Sequence, residues 1–383
     1  MHRLVVLAIP VFALLMACEF IYGWLRQRNT YRLNDSISSL GQGLLSQAVA
    51  VCTQLFQIGL YAAVWRWVPH PAADTFWDGA AGWIVAVLLF DFCDYWLHRA
   101  GHECAVFWAA HAVHHQSQDF NFSTALRQES TVAFLGWPFY LPMALVGVPP
   151  DLFGIAGLIV LVYQFWIHTE HIGRLGWFDR VFSSPSNHRV HHAVNDEYLD
   201  RNYGGMLVVW DRLFGSFTEE KAPCVYGTRQ PLDSWRPLRA VLGPYAPLLR
   251  DSWHTRRWRD KLRVWFKAPG WRPADLAAQD AQEGRPVFSL GAVQRYDPPA
   301  TAAQRWAGGL QFVLWIGIVL SFLWQADDLG FGRSLALLAL SAAGLQVVGQ
   351  VFEGRWPAMW SSVAQALLAA AAISLLVLTP LPL

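Results

Sequence analysis

Ten of the 13 histidines in the chain fall between residues 98 and 192. They come in four groups. His98 and His102 are spaced HxxxH, and His111, His114 and His115 form HxxHH. His168 and His171 stand three apart, and His188, His191 and His192 repeat HxxHH. On a helix, positions three and four apart share a face with Cβ atoms about 5–6 Å apart. Each group therefore aims two or three imidazoles at one point. Neutral imidazole is the commonest metal ligand among side chains. The set exceeds the four ligands of a tetrahedral zinc and fits two metal ions with positions left open for water, oxygen or substrate. One HxxxH alone is as well explained by a satisfied core or interfacial histidine; two copies of HxxHH beside it are not.

Carboxylates lie in the same segments. Asp91 and Asp94 precede His98 by seven and four positions, on one helical face, where either can accept the free N–H of a ligand imidazole or face headgroup water. Glu103 follows His102, and Glu170 sits between His168 and His171; each can ligate, take a proton or bind a cofactor. Glu103, Asp94 and Glu170 are the candidate catalytic carboxylates. Asn187 can orient His188 or cap a helix after Pro185.

The elements that position these groups are membrane helices. Of 383 residues, 54% are hydrophobic and 15% charged, with 21 Trp, 23 Phe and five Cys; a soluble domain carries roughly 25% charge. The mean hydropathy is +0.25. The cysteines show no CxxC spacing, which disfavours a disulfide framework or a thiolate zinc site. A net charge of +1 gives no pull toward nucleic acid. Spanning hydrocarbon takes about 20 apolar residues per helix, and Leu4–Tyr22, Leu44–Val68 and Phe76–Leu97 qualify near the N-terminus. Val132–Val148 and Leu152–Ile167 form a hairpin around Pro149 and Pro150 that spans or re-enters. Ala307–Trp324, Leu335–Phe352 and Met359–Leu378 complete the set.

Arg and Lys mark cytoplasmic loops. Arg26, Arg28 and Arg32 follow the first segment, and Arg250, Arg256, Arg257, Arg259, Lys261, Arg263 and Lys267 crowd the long polar region. The loop His70–Thr75 carries Asp74 and no Arg or Lys. The N-terminus is therefore expected outside, and Phe76–Leu97 runs inward to deliver Asp91, Asp94 and His98 to the cytoplasmic face. Leu248–Trp271 interleaves basic residues with Trp253, Trp258, Trp265 and Phe266, the pattern of an interfacial helix against anionic headgroups or of an ordinary positive-inside loop.

Imidazole suits Zn, Cu, Fe and Ni. A reducing cytoplasmic setting favours ferrous iron, and attack on unactivated lipid C–H bonds calls for oxygen activation. Zinc hydrolysis needs fewer ligands and a designated base. The motifs resemble the fatty acid hydroxylase/sterol desaturase superfamily of membrane non-haem di-iron enzymes, and within it the alkylglycerol monooxygenase branch. The resemblance rests on Phe107 through His115, Asn121 through Gln128, Tyr163 through Glu170, Pro185 through His192, Asn202-Tyr203-Gly204-Gly205 and Trp210 through Gly215. It covers roughly Asp91–Phe217.

The resemblance implies an O2-dependent monooxygenase with two Fe held by His98, His102, His111, His114, His115, His188, His191 and His192. His168 is a further ligand, and His171 a variable extra. It implies hydroxylation beside the ether oxygen of an alkylglycerol, with tetrahydrobiopterin as reductant and Glu103 at a position suited to a pterin contact. Sterol, fatty acyl or carotenoid hydroxylation or desaturation is the alternative within the superfamily. A histidine-rich metal transporter is the alternative outside it, though central apolar stretches such as Ala80–Phe90 hold no ionisable residue.

The expected fold is an all-α polytopic transmembrane bundle with a cytoplasmic cap bearing the di-metal site. Its parts are N-terminal membrane segments (1–75), a hydroxylase-like catalytic region (76–225), a basic cytoplasmic or interfacial region (226–305) and C-terminal membrane segments (306–383). Expected partners are the membrane, a lipid, O2 and an electron donor, either pterin or a redox protein, with no nucleic acid. The expected setting is a bacterial inner membrane or the endoplasmic reticulum.

Overall fold

A computed structural model describes residues 2–69, 76–283 and 288–377; the loop His70–Thr75 and Leu378 lie outside the described residues. The chain enters as α1 (His2–Leu25) and α2 (Leu33–Cys52). It then passes through a π turn (Leu55–Gly59) into α3 (Leu60–Trp67). α4 (Ala80–Glu103) and α5 (Ala105–His115) carry the first histidines. After the single turn α6 (Phe122–Ala125) come the hairpin helices α7 (Ala133–Leu145) and α8 (Pro150–Trp166), then α9 (Pro185–His192) and α10 (Val209–Phe214). Four short helices follow: α11 (Pro237–Leu242), α12 (Tyr245–His254), α13 (Trp258–Phe266) and α14 (Ala274–Glu283). The chain ends in α15 (Ala302–Trp324), α16 (Phe331–Phe352) and α17 (Ala358–Val377). Among the described residues there is no strand, only the isolated bridges Phe182–Leu207 and Ala193–Tyr226.

Five described helices are long and apolar enough to cross a membrane, or six if the bent pair Leu33–Cys52 and Leu55–Trp67, 68° apart, counts as one. In lipid a helix satisfies its own backbone polar groups, so long apolar runs fold this way, and the chain is an integral membrane protein. One expectation changes. Leu44–Val68 is no straight span: its helix begins at Leu33 and breaks after Cys52. α7 and α8 form the expected apolar hairpin, with helices of 13 and 17 residues.

Hydrogen bonds fix that hairpin at both ends. Its tip is held by α3, where Tyr61 Oη donates to Val148 O (2.8 Å) and Trp65 Nε1 to Gly147 O (3.2 Å). Its open end meets α4, where Tyr140 Oη donates to Asp94 (2.8 Å). Alongside, a Cβ at Gly157 would lie 2.8 Å from the Phe90 ring and one at Gly136 2.9 Å from Leu97. Small residues thus let α7 and α8 lie close on α4. α8 follows α4 in the same direction and delivers His168 to the end that bears His98.

The other half of the membrane body packs α15, α16 and α17 on α2. Trp315, fully buried, lies flat against Gly344, where a Cβ would approach to 1.8 Å. Its Nε1 donates to Gln365 (2.6 Å), and Gln365 donates onward to Gly344 O (2.9 Å). α1 joins through Arg3, paired to Asp328 at 3.1 Å.

Candidate metal centre

The nine histidines expected as ligands are gathered at one place, in two groups. His98, His102, His111, His115 and His191 form one; His114, His168, His188 and His192 form the other. Within each group one ligand atom per residue lies within 4.8 Å of the rest. The two HxxHH helices work in opposite senses. On α5 the outer pair, His111 and His115, serves the first group and His114 the second. On α9 the outer pair, His188 and His192, serves the second and His191 the first. Positions i and i+4 sit about 40° apart around a helix of 3.6 residues per turn, with i+3 on the far flank. One helix can therefore straddle both groups. α4 adds two imidazoles to the first group, and the turn after α8 adds His168 to the second. The groups abut: the His115 and His192 rings are 4.4 Å apart.

Local sequence sets these helices in place. Ser184 caps α9 by accepting from Asn187 N (3.4 Å), with Pro185 at the first helical position. Asn187 itself donates to Asp179 O and Phe182 O (3.1 and 3.3 Å), fastening the helix start to the preceding loop. Arg189 forks onto Glu220 (2.8 and 2.7 Å) and reaches the carbonyls of Thr169 and Ile172. α6 opens with an Asn121–Thr124 capping box.

Hydrogen bonds decide which nitrogen faces inward on five of the rings. Nδ1 of His98 meets Tyr203 O (2.6 Å), that of His114 Arg127 O (2.9 Å), that of His168 Gln164 O (2.7 Å) and that of His191 Arg201 O (3.1 Å). A carbonyl only accepts, so each of these Nδ1 atoms carries the proton and each Nε2 presents a lone pair. His111 Nδ1 meets Glu129 at 2.6 Å, and His102 Nδ1 lies 3.4 Å from Asp200. The Nε2 atoms then crowd one another: His115 to His111 at 2.9 Å, His188 to His168 at 3.0 Å, His168 to His114 at 3.3 Å. Nε2 of His98, His102 and His191 is buried with no protein partner.

Converging buried lone pairs repel unless a cation lies between them, so the donor set fits metal. Burial pushes His114 down to about 4 against the pull of Glu129. Burial, and then neighbouring imidazoles, holds His115, His188, His191 and His192 well below the usual range. These five rings are therefore neutral ligands at neutral pH. Burial by itself raises a carboxyl, but the hydrogen bond from His111 and the fields of His111 and His114 hold Glu129 down at about 2.

The carboxylates fall elsewhere. Asp91 accepts from Met206 N (2.7 Å), Leu207 N (3.1 Å) and Trp210 Nε1 (2.8 Å), and so pins the loop after Tyr203 rather than an imidazole. Asp94 accepts from Tyr140, with Gln164 Nε2 at 3.5 Å. Neither takes an imidazole N–H as expected. Four and seven residues are about 6 and 10 Å along a helix, which puts these carboxylates among other neighbours. Glu103, half exposed, pairs with Arg99 at 2.9 Å, and Glu170 lies 4.0 Å from Arg28. His171 stays outside both groups with its ring against Tyr22. The carboxylates found beside the imidazoles are Glu129, which accepts from His111, and Asp200, 3.4 Å from His102; the sequence marked neither. Glu129 lies in a coil one residue beyond the string ending at Gln128, where no periodicity singles it out.

Known proteins match this chain over the same region and beyond it. The fatty acid hydroxylase family pattern covers residues 83–216. Alkylglycerol monooxygenase of Xenopus tropicalis is 34% identical over 315 residues, 80% of this chain and 68% of that protein. The Danio rerio enzyme of that name is 35% identical over 352 residues, 91% of this chain and 77% of the relative. The human one is 37% identical over 267 residues, 70% and 59% respectively. No solved structure matches significantly. The chain belongs to the alkylglycerol monooxygenase family among the fatty acid hydroxylases: it is an oxidoreductase, a membrane lipid monooxygenase with a histidine-rich metal site.

Proposed function

We propose that the nine imidazoles hold two iron ions, five on one and four on the other, and that the chain uses O2 to cleave alkylglycerol ether lipids. The convergence of proton-free Nε2 atoms in two abutting groups carries this reading. An all-nitrogen, neutral donor set suits a first-row transition metal, and the relatives named for alkylglycerols supply the substrate. Bound iron would supply the activation of O2 that places a hydroxyl on the carbon beside the ether oxygen. One oxygen atom enters the lipid, the other leaves as water with two electrons and two protons, and the resulting hemiacetal parts into an aldehyde and a glycerol.

The chain's own residues orient and shield. Carbonyls of Arg127, Gln164, Arg201 and Tyr203 turn each Nε2 inward. Glu129 raises the basicity of His111, as ligand-bound carboxylates do. Asp94 acts at a distance, through Tyr140 and Gln164 on the hairpin that bears His168. Glu103, half exposed at the end of α4, is the proposed contact for tetrahydrobiopterin as reductant. Glu170 beside His168 is the proposed proton-handling group on the hairpin side. The Arg-bearing loop after α1 and the basic stretch around α12 and α13 support a site facing the cytoplasm.

The test is metal content of the detergent-purified chain coupled to reductant-dependent O2 uptake. An alkylglycerol is compared with a sterol, and a tetrahydropterin with a ferredoxin-type donor. Two irons per chain with uptake driven by alkylglycerol and pterin are expected. Two irons with no response to either lipid keep the oxygenase and remove the substrate. Zinc retained through anaerobic iron loading removes the iron.

A further inference from the structure

The helices α12 and α13 turn their apolar residues outward. Leu249 and Trp253 stand four apart on α12, and Trp258, Leu262 and Phe266 recur every four residues on α13; all five are exposed, Trp253 and Trp258 by 82% each. The inner faces hold the charges instead. Asp251 is buried against Arg272 at 2.6 Å, and Asp260 is buried beside Arg263. Lys261 locks the two helices together by donating to the carbonyls of Ser252 and Trp253 (2.9 and 2.8 Å). Nothing in the described fold covers the outer ridge.

The charge around that ridge has one sign. Arg250, Arg256, Arg257, Arg259 and Lys267 are exposed, and the two acids between Tyr245 and Trp271 are both buried. Location narrows the occupant further. Lys267 O accepts from Ala105 N at 2.9 Å, at the junction of α4 and α5, and Tyr245 Oη meets Thr131 Oγ1 at 2.8 Å, just ahead of α7. Those are the histidine-bearing end of a membrane helix and the open end of the apolar hairpin. A soluble acidic protein would meet the arginines and leave the Trp and Leu ridge in water. A second copy of the chain would bring the same positive charges against these. A headgroup layer takes both features: aromatic and aliphatic side chains at the acyl boundary and guanidinium groups among phosphates.

We propose that α12 and α13 form a docking surface for the anionic headgroup layer of the membrane in which the chain sits. The surface does not depend on which lipid is oxidised. It places on the bilayer the carbonyl that receives the first N–H of α5, the helix carrying His111, His114 and His115.

The full chain, reconstituted in phosphatidylcholine vesicles with or without phosphatidylglycerol, tests this through a photoreactive benzoylphenylalanine at position 258 or, separately, 262, with position 279 on α14 as control. Lipid adducts are expected at 258 and 262 and not at 279. Their yield should rise at least about fivefold with phosphatidylglycerol, the effect of about 1 kcal/mol from a single basic group at an anionic surface. The combined Arg256→Gln, Arg257→Gln and Arg259→Gln variant should bring that yield back to the phosphatidylcholine level. Adducts to protein, no lipid adduct at either site, or a yield indifferent to phosphatidylglycerol would each overturn the proposal. Reading two separate sites guards against one substitution disturbing the fold, and retained metal in each variant reports that the site is intact.

Discussion

Nε2 of His114 and Nε2 of His168 face each other across 3.3 Å, and both are lone-pair nitrogens, because each Nδ1 donates to a carbonyl. Two such atoms in a buried place repel, and a cation between them reverses the sign. Metal should therefore hold the fold as well as run the reaction. Stripping the purified chain with a strong chelator is expected to lower its unfolding free energy by about 4 kcal/mol per site at a thousandfold excess over the dissociation constant. Restoring iron should recover it. His168→Ala and His191→Ala each remove a ligand from a different group, so each is expected to cost about one metal per chain and all turnover. A chelated chain that melts where the loaded one does would remove the lone-pair argument.

Glu129 offers a finer test, because it reaches the centre only through His111. Glu129→Gln keeps the shape but replaces an anionic acceptor by a neutral one. Outer partners of ligand histidines typically contribute 10–100-fold in affinity or activity. The variant is expected to fold with unchanged melting in the presence of excess iron and to bind the ion of the five-histidine group about tenfold or more weakly. Equilibrium titration of iron into the stripped protein measures it. Equal affinity in variant and parent would leave Glu129 a structural neighbour and nothing more.

Eight of the nine histidines were legible because groups gathered from one helix recur at three and four residues, a period that sequence displays directly; His168, in the turn after α8, was marked by the resemblance and not by its spacing from His171. Their partners were not, because Tyr203, Arg201, Gln164 and Arg127 contribute backbone oxygens that carry no residue signature. Asp91 and Asp94 shared the expected face with His98, yet a position on a face says nothing of height along it, and a turn of rise moved both to other donors. The membrane ends of α15, α16 and α17 followed from hydropathy alone. The start of α2 did not. Asp35, Ser38, Ser39 and Gln42 make it look like a loop, and all four are buried, with Asp35 taking Ser117 Oγ at 2.5 Å and Gln118 N at 3.2 Å. A hydropathy average cannot see polar groups that find partners inside the protein.

The ion pair of Arg189 with Glu220 carries a pH signature. Burial favours the neutral acid, but the bonds from Arg189 outweigh it and hold Glu220 below its ordinary value of 4.5. A depressed carboxylate contributes stability that is present above the unfolded value and is lost as pH falls below it. Glu220→Gln leaves the Arg189 guanidinium, with a side chain only 8% exposed, without its counter-charge. Removing one partner of a buried pair costs about 3 kcal/mol, the lower end of the range because Glu220 is not fully enclosed. The gap between parent and variant should be full at pH 7 and narrow below pH 4.5. Unfolding measured at several pH values decides it, and a gap of constant size would show that the loss comes from packing instead of charge.

Glu19 joins α1 to the centre. It is buried in an otherwise apolar helix and accepts from Tyr31 Oη, from Phe122 N (2.8 Å) and from Thr169 Oγ1, the residue after His168. Gln at this position turns one acceptor into a donor facing donors, and a buried group left unmatched costs about 1–3 kcal/mol. Thr169→Val removes the bond to Glu19 and the one that Thr169 Oγ1 accepts from His171 N (3.1 Å), and should cost a similar amount. If the first helix positions His168 through Thr169, the two substitutions act on one object. Their combined loss should then fall short of the sum by 0.5 kcal/mol or more, the usual coupling of contacting residues. Both should also weaken the four-histidine group in iron titrations while leaving the five-histidine group unchanged. Additive losses with both groups intact would make Glu19 an anchor of α1 that the metal centre does not feel.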